Sequence, residues 1–387
     1  MAGIYIHIPF CVQKCLYCDF PSYEGQSEYL PAYLDALYKE IKVRASEESW
    51  GVFHTVFIGG GTPSLLSGEE IQLLLDVLRA HFRIATDAEI SMESNPGTLT
   101  LSNLLAYKAA GVNRLSVGIQ SLEDCVLQKI GRIHNSRQAM EALELAKAAG
   151  FTNINADVMY GLPGQTELDF LSTLRDLMLL SPTHISAYSL ITEEQTPLYA
   201  AVQNASITLP NEDEVAIMEE IGAAFLGTHH LQRYEISNYA QAGYECRHNL
   251  NYWHNGPYLG LGAGAHSAFA LFHEGQSTWT RWENTSQLHD YIQTSHRSLK
   301  RKELKRISRQ EEAFEFIMLG LRLTDGISLS AFSDRFSVSL SAFYPKAMEI
   351  LTLTKLLEIE QNKARLTPRG LDLQNLVLQY FLEEKPY

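Results

Sequence analysis

The chain has 387 residues, with 31 basic and 45 acidic side chains and a net charge of −14 with histidine neutral. Its length and 45% hydrophobic content suffice for a sizeable core and roughly two or three domains. The acidic excess argues against nonspecific nucleic-acid binding, no apolar run reaches the ~18 residues of a membrane span, and five cysteines are too few for a disulfide scaffold.

The opening MAGIYIHIPF reads as a strand, without the basic start and cleavage site of a secretory leader. The first strand spans 4–8, and further β-branched or mixed runs follow at 55–58, 89–93, 114–119, 153–160 and 184–191. Between them lie helical spacings such as Ile71, Leu74, Leu75, Leu78 and Leu168, Leu171, Leu174, Leu177, Leu180. Ser67 with Glu70 and Thr166 with Asp169 fit capping boxes that start two of these helices. Strand–helix alternation predicts a parallel sheet, because each parallel pairing needs a crossover. Alternation alone leaves open whether that sheet is doubly wound or a curved partial barrel.

The rhythm changes after about residue 192. A helix is expected over 211–226, a strand over 233–236, and an aromatic, glycine-rich segment over 244–270. Arg297, Lys300, Arg301, Lys302, Lys305, Arg306 and Arg309 crowd around one acid, Glu303. That run reads as a solvated linker or helix face, or else as a docking patch for an acidic partner or anionic lipid. Residues 312–382 read as helices with a turn at Thr324-Asp325-Gly326 and a hairpin over 357–366, a winged-helix-like appendage. The expected domains are 1–200, 201–296 and 297–387.

Three of the five cysteines, Cys11, Cys15 and Cys18, form a CxxxCxxC after the first strand, while Cys125 and Cys246 stand alone. Clustered thiols in a reducing cytosol point to a metal or redox site, since thiolates are soft ligands for zinc or iron–sulfur clusters. A structural zinc takes four protein ligands, and neither His7, Cys125 nor Cys246 has zinc-knuckle spacing. Three ligands suit a [4Fe–4S] cluster with one iron left open; the alternatives are a zinc site or inert buried thiols.

Gly59-Gly60-Gly61-Thr62-Pro63 follows the second strand, where glycines let backbone approach a ligand, although a tight βα turn uses the same residues. No Lys-Ser/Thr follows, which excludes a nucleotide P-loop. Glu93 ends the third strand, Gln120 ends the fourth and Asp157 lies in the fifth. Polar residues at strand C-termini face a barrel-mouth site, and each alone also suits a core polar group or a helix cap. Gly260-Leu-Gly262-Ala-Gly264-Ala265 imitates a dinucleotide fingerprint but lies outside an early βαβ unit, so it reads as close backbone packing.

The run from Tyr5 through Cys11, Cys15 and Cys18 to Phe20 resembles the radical S-adenosylmethionine (SAM) superfamily, in the branch around oxygen-independent coproporphyrinogen oxidase. The resemblance implies an α/β fold: a partial (β/α)6 barrel with a C-terminal α+β extension. It implies a [4Fe–4S] cluster on Cys11, Cys15 and Cys18 whose open iron binds the SAM amino and carboxylate groups, and reductive cleavage of the C5′–S bond. SAM contacts implied in this way fall on Tyr5, Tyr17, Gly60, Gly61, Thr62, Glu93, Gln120, Arg132, Asp157 and Ile191. The positions of Gln120, Arg132 and Asp157 match contacts to a second SAM, so one or two molecules remain open.

Two departures separate the chain from the oxidase pattern. Phe20 stands where the oxidase motif has a further cysteine, and only ten residues precede Cys11. Both features resemble HemW-type heme chaperones, as does the HNxxYW in Cys246-Arg-His248-Asn249-Leu-Asn-Tyr252-Trp253. In that family the segment is heme-associated. His248 offers an axial imidazole, Cys246 is a competing donor, and Asn249, Tyr252 and Trp253 complete the motif, with Arg247 available to a propionate. A packed core histidine is the plainer reading of His248 without the resemblance. The expectation is a cytoplasmic chaperone that passes heme to apo-protein acceptors, respiratory and membrane-associated ones included, at the inner face of the membrane. A homodimer belongs to the same expectation, and a nucleic-acid partner does not. The rivals are oxidative decarboxylation of coproporphyrinogen III and radical chemistry on another substrate, such as methyl transfer.

Overall fold

Residues 1–47, 50–273, 276–294 and 302–384 are described by the computed structural model, with backbone alone at 272, 273, 276, 277 and 302–304. The alternating runs form six strands: β1 (Gly3–Ile8), β2 (Val52–Gly60), β3 (Arg83–Ser94), β4 (Arg114–Gln120), β5 (Asn153–Tyr160) and β6 (His184–Ser189). They pair in parallel and in chain order. The crossovers carry α1 (Leu30–Glu47), α2 (Gly68–His81), α3 (Leu101–Ala110), α4 (Asp124–Lys129), α5 (Ser136–Ala148) and α6 (Glu167–Leu179). Both expected capping boxes are formed, Ser67 with Glu70 on α2 and Thr166 with Asp169 on α6. Ile4, Ile58, Leu74, Leu115, Val117 and Leu174 are fully buried between sheet and helices, which accounts for their periodicity.

The arc does not close. After α7 (Pro197–Gln203) and α8 (Glu212–Thr228), β7 (Gln232–Arg233) and β8 (Asn238–Ala240) add to the β6 edge, with β8 antiparallel to β6. After α9 (Arg247–Trp253), β9 (Tyr258–Leu261) joins the outer edge of β1 in parallel. Antiparallel β10 (His266–His273), β11 (Gln276–Glu283) and β12 (Lys302–Arg306) follow, with α10 (Leu288–Thr294) between the last two. The twelve-stranded order is β12-β11-β10-β9-β1-β2-β3-β4-β5-β6-β8-β7. Because β1 bonds to β9 rather than β6, the six parallel strands form a partial barrel.

The strand expected over 233–236 stops at Arg233, because buried Glu235 accepts hydrogen bonds from the Ser237 amide and Asn238 Nδ2 and turns the chain into β8. The strand expected to reach 191 ends at Ser189. Gly260 is a packing glycine: a Cβ there would stand 2.0 Å from the His266 carbonyl oxygen.

The chain then builds a second core. It comprises α11 (Arg309–Gly320), β13 (Ile327–Ser328), α12 (Leu329–Phe336), α13 (Leu340–Phe343), α14 (Pro345–Leu353), β14 (Leu357–Glu360), β15 (Lys363–Leu366), α15 (Pro368–Asp372) and α16 (Gln374–Glu383). Phe332, Phe336, Tyr344 and Phe381 pack inside it, under a small sheet ordered β13-β15-β14. The hairpin lies where the turn chemistry predicts it. Tyr234 accepts the Thr324 amide at 3.1 Å and Arg335 Nη1 donates to the Asn255 carbonyl at 2.9 Å, which ties this unit to the large sheet. Of the basic run, Arg297, Lys300 and Arg301 lie outside the described residues, Lys305 pairs with Glu311 at 2.9 Å, and Arg309 lies over the Phe343 ring.

Glu40 on α1 locks the extension onto the barrel. Fully buried, it accepts from the Gly262 amide at 2.8 Å, Asn284 Nδ2 at 2.7 Å and Tyr291 Oη at 2.6 Å, with the buried Arg44 guanidinium 3.7 Å away. Burial pushes its carboxyl pKa up, and Arg44 and the three donors oppose that shift. Glu40→Ala strips these donors and Arg44 of their acceptor, so a loss of about 3–5 kcal/mol is expected in denaturant unfolding. Lys39→Ala, which breaks only an exposed pair with Asp35, should leave the midpoint in place.

Candidate functional site

The cysteine loop leaves the C-terminal end of β1 and is pinned from several sides. Phe10 and Cys11 pair with Tyr23 and Glu24 in a short parallel bridge, closing the loop. The Leu16 amide donates to the Ile130 carbonyl at 3.1 Å, and the Leu16 carbonyl accepts the Leu198 amide at 2.9 Å. His7 Nε2 meets the Pro21 carbonyl at 2.7 Å while its Nδ1 meets Tyr5 Oη at 2.9 Å. Cys11, Cys15 and Cys18 are each partly exposed on this loop, and all three line one cavity of about 350 Å³.

The opposite wall comes from the ends of β2 to β5. The β2 turn brings backbone against the thiols: Gly60 has φ of +119°, and a Cβ on Gly61 would stand 2.9 Å from Cys11 Sγ and 2.6 Å from the Phe10 carbonyl oxygen. Only glycine leaves that space open. Glu93 accepts the Gly60 amide at 2.9 Å, fixing strand end to turn. At the end of β4 the register shifts between Gly118 and Gln120, and Gln120 takes φ of +66°, a bulge that re-aims its side chain. Asp157 on β5 is held by Ser116 Oγ at 2.9 Å and Asn155 Nδ2 at 2.7 Å.

Arg132 links the two walls. Its Nη1 donates to Cys15 Sγ at 3.4 Å, and its Nη2 donates to Asn95 Oδ1 at 2.8 Å and the Gly118 carbonyl at 2.5 Å. Asn95 in turn donates to Thr62 Oγ1 at 2.9 Å, and Thr62 Oγ1 donates to Cys11 Sγ at 3.7 Å. Cys11 and Cys15 thus each accept a side-chain hydrogen bond from the protein. Burial pushes the Cys11 and Cys18 thiol pKa values up, so loading iron on them releases protons. Three soft donors on one loop, facing a glycine cradle and charge-bearing strand ends, fit an iron–sulfur cluster with SAM beside it. Among the described residues no group of three or more His, Cys, Asp or Glu side chains converges on a single metal ion.

Tyr17, Gly60, Gly61, Thr62, Glu93, Gln120, Arg132 and Asp157 all line the cavity with the cysteines. Tyr5 does not; it faces an adjoining inner cavity of about 310 Å³ that shares Glu93 and Asp157. Ile191 is 70% exposed beyond the end of β6 and lines neither. Phe20 is 68% exposed and borders both, an apolar side chain at the mouth. Asn95 and Tyr188 also line the outer cavity without having been singled out. The signal for Asn95 was its place two residues after Glu93, past the same strand end.

The HNxxYW segment forms α9. Its N-terminus is capped from afar: buried Glu89 on β3 accepts the His248 amide at 3.0 Å, the Arg247 amide at 3.0 Å and Cys246 Sγ at 3.7 Å. His248 is buried with both ring nitrogens engaged, Nδ1 to Thr55 Oγ1 at 2.8 Å and Nε2 to Tyr252 Oη at 2.9 Å, and its ring stacks on Phe57. Burial, with Arg114 adding, pushes its pKa down to about 3, so the imidazole is neutral. Burial pushes the Cys246 thiol up to about 12, against the pull of Arg114, which keeps it protonated rather than a ready ligand. His248, Asn249 and Tyr252 face the inner cavity, whereas Trp253 turns away from it toward the C-terminal unit. Arg247 donates to the Asp87 carbonyl at 2.8 Å on the outside of β3. Cys125 is exposed on α4.

Burial and the neighbouring Asp157 raise the Glu93 carboxyl from 4.5 to about 7, against the Gly60 amide. A carboxyl that holds its proton more tightly folded than unfolded costs nothing below the lower of these values. The cost then grows as pH rises through the higher one. In cluster-free and SAM-free protein, the stability of Glu93→Gln relative to wild type should therefore rise between about pH 4.5 and pH 7, by on the order of 3 kcal/mol. Urea unfolding across that range measures it, and a pH-independent gap contradicts the burial of this charge.

Residues 5–177 match the model of the radical SAM superfamily, and residues 307–373 match that of the HemN C-terminal domain. Heme chaperone HemW of Bacillus subtilis is 37% identical over 99% of this chain and 100% of its own length. Heme chaperone HemW of Escherichia coli is 36% identical over 99% of this chain and 98% of its own. The structure of coproporphyrinogen III oxidase HemN from Escherichia coli, a radical SAM enzyme, superimposes with a TM-score of 0.82 at 24% identity, covering 98% of this chain and 89% of that one. It shares the fold of this chain, partial barrel and extension together. The chain belongs to the radical SAM superfamily and, within it, to the family of the heme chaperone HemW.

Proposed function

We propose that the chain is a heme chaperone: it binds heme and hands it to an apo-protein, carrying a cluster and SAM at the mouth of its partial barrel. The observation that carries this reading is similarity along 99% of the chain to relatives named heme chaperone, not confined to the barrel. Phe20 supports it locally, because an exposed phenyl replaces a further thiol at the cavity mouth.

In this reading Cys11, Cys15 and Cys18 hold a [4Fe–4S] cluster, which when bound supplies an open iron for SAM and an electron when reduced. The protein's own part is binding and orientation. The Gly60–Gly61 turn admits the methionyl end close to backbone, Glu93 and Asp157 offer acceptors to its ammonium group, and Arg132 and Asn95 brace the thiol side. A cavity of about 350 Å³ is within the range that small-molecule sites occupy. SAM then acts as a structural or regulatory ligand. The α9 segment, held by Glu89, is the heme-associated element. The same reading has the chain working in the cytoplasm as a homodimer and meeting respiratory acceptors at the inner face of the membrane. No described helix is long and apolar enough to cross that membrane.

Cluster-loaded protein tested anaerobically separates this function from decarboxylation. Stoichiometric hemin uptake, followed by transfer of the Soret band to an apo-hemoprotein, is the expected result. Catalytic conversion of coproporphyrinogen to protoporphyrinogen in the presence of SAM and reductant would defeat the proposal. Separately, Cys11→Ser, Cys15→Ser or Cys18→Ser should each abolish the charge-transfer absorbance of the reconstituted cluster while the far-UV circular dichroism is retained. Cys125→Ser should leave that absorbance unchanged.

A further inference from the structure

Polar side chains share the inward face of three neighbouring strands below the cavity mouth. The parallel register sets Ser116 of β4 beside Asn155 of β5, and Asn155 beside His184 of β6. One strand period nearer the mouth, Asp157 stands beside Ser186. Ser116, Asn155, His184 and Ser186 are buried. Asp157 borders both the cysteine-lined cavity and the inner one, whereas His184 lines neither.

Donor and acceptor chemistry fixes the direction of the bonds that lead to Asp157. A carboxylate only accepts, so Asn155 turns its Nδ2 to Asp157 Oδ1, at 2.7 Å. The same Nδ2 donates at 2.7 Å to Ser116 Oγ, which donates to Asp157 Oδ2 at 2.9 Å, so Asn155 braces both carboxylate oxygens. Asn155 Oδ1 then faces His184 Nδ1 at 2.6 Å, and because an amide oxygen only accepts, that ring nitrogen carries the proton. His184 Nε2 is left as an acceptor, filled by Tyr234 Oη as donor at 2.8 Å. Burial, with Arg114 adding, pushes the His184 pKa well below its ordinary value, so the ring stays neutral in this one tautomer.

We infer that His184 is a positioning residue for ligand recognition, which through Asn155 holds the Asp157 carboxylate turned to the cavity for the ammonium group of SAM. The inference rests on the SAM-binding reading above and names the residue behind its polar contact. An asparagine amide rotated by 180° keeps its shape but would set Oδ1 against the carboxylate. The His184 N–H opposes that rotation, since it would then meet the amide N–H. The ligand selected in this way carries an amino cation beside the adenosyl group, not the adenosyl group alone.

Binding of SAM, and of methylthioadenosine, which lacks the amino-acid end, to the cluster-loaded full chain in anaerobic equilibrium dialysis tests the assignment. His184→Leu is expected to weaken SAM binding about tenfold and to leave methylthioadenosine binding as in wild type. His184→Asn keeps an N–H where Nδ1 stands and is expected to restore most of the SAM affinity. Tyr234→Phe removes the donor that locks the tautomer, so it is expected to weaken SAM binding severalfold with the same selectivity, and it carries the test should His184→Leu not fold. Wild-type SAM affinity in His184→Leu or Tyr234→Phe, an equal loss of both ligands, or a loss that His184→Asn does not relieve overturns the assignment. A cluster-loaded wild-type chain that does not bind SAM overturns the reading beneath it.

Discussion

Strand β1 is hydrogen-bonded on both edges over the same residues. Gly3 to Ile6 pair with Thr55 to Ile58 of β2 on one side and with Tyr258 to Leu261 of β9 on the other. That double pairing keeps the arc open, since the edge that would meet β6 in a closed barrel is taken by β9. It also aims the cysteine loop, which begins where β1 ends, at the seam between barrel and extension. Even the third residue is constrained: a Cβ on Gly3 would stand 2.7 Å from Thr55 Oγ1 and 2.9 Å from the His248 ring. The cysteine loop and the ring of His248 on α9 are therefore both set against one strand.

From that seam a path of hydrogen bonds runs behind the cavity. Asp157 takes Asn155 Nδ2, Asn155 Oδ1 meets His184 Nδ1 at 2.6 Å, and His184 Nε2 meets Tyr234 Oη at 2.8 Å. Tyr234 Oη then accepts the Cys246 amide at 3.2 Å, at the start of α9. Glu89 holds the same helix end from β3. Asn155 and His184 at its centre are buried, so each must be satisfied by its neighbours, and the path couples the strand ends to the start of α9.

Local pattern carried much of this. The strand over Asn153–Tyr160, the capping boxes at Ser67 and Thr166 and the hairpin over residues 357–366 are set by neighbours a few residues apart, which spacing records directly. Glu93, Gln120 and Asp157 were legible because a polar residue ending a parallel strand has one direction to face. The parts that escaped depend on distant partners. Nothing near residue 258 signals pairing with β1, and Thr55, which occupies a nitrogen of His248, is 193 residues away in sequence. Glu89 read as the start of a strand, and its role as a cap appears only when α9 folds against β3. Trp253 belonged to the same motif as His248, yet the helix turns the two toward different cavities.

Three thiolates on the β1 loop that leave one iron open beside the strand ends make the cluster responsive to SAM. Electron paramagnetic resonance of the reduced, reconstituted cluster before and after addition of SAM tests it most directly. The expected result is a [4Fe–4S] signal whose g values shift on SAM addition, with the shift lost in Glu93→Ala but the cluster retained. A spectrum indifferent to SAM, or a site that holds zinc in place of iron and sulfide, would contradict it.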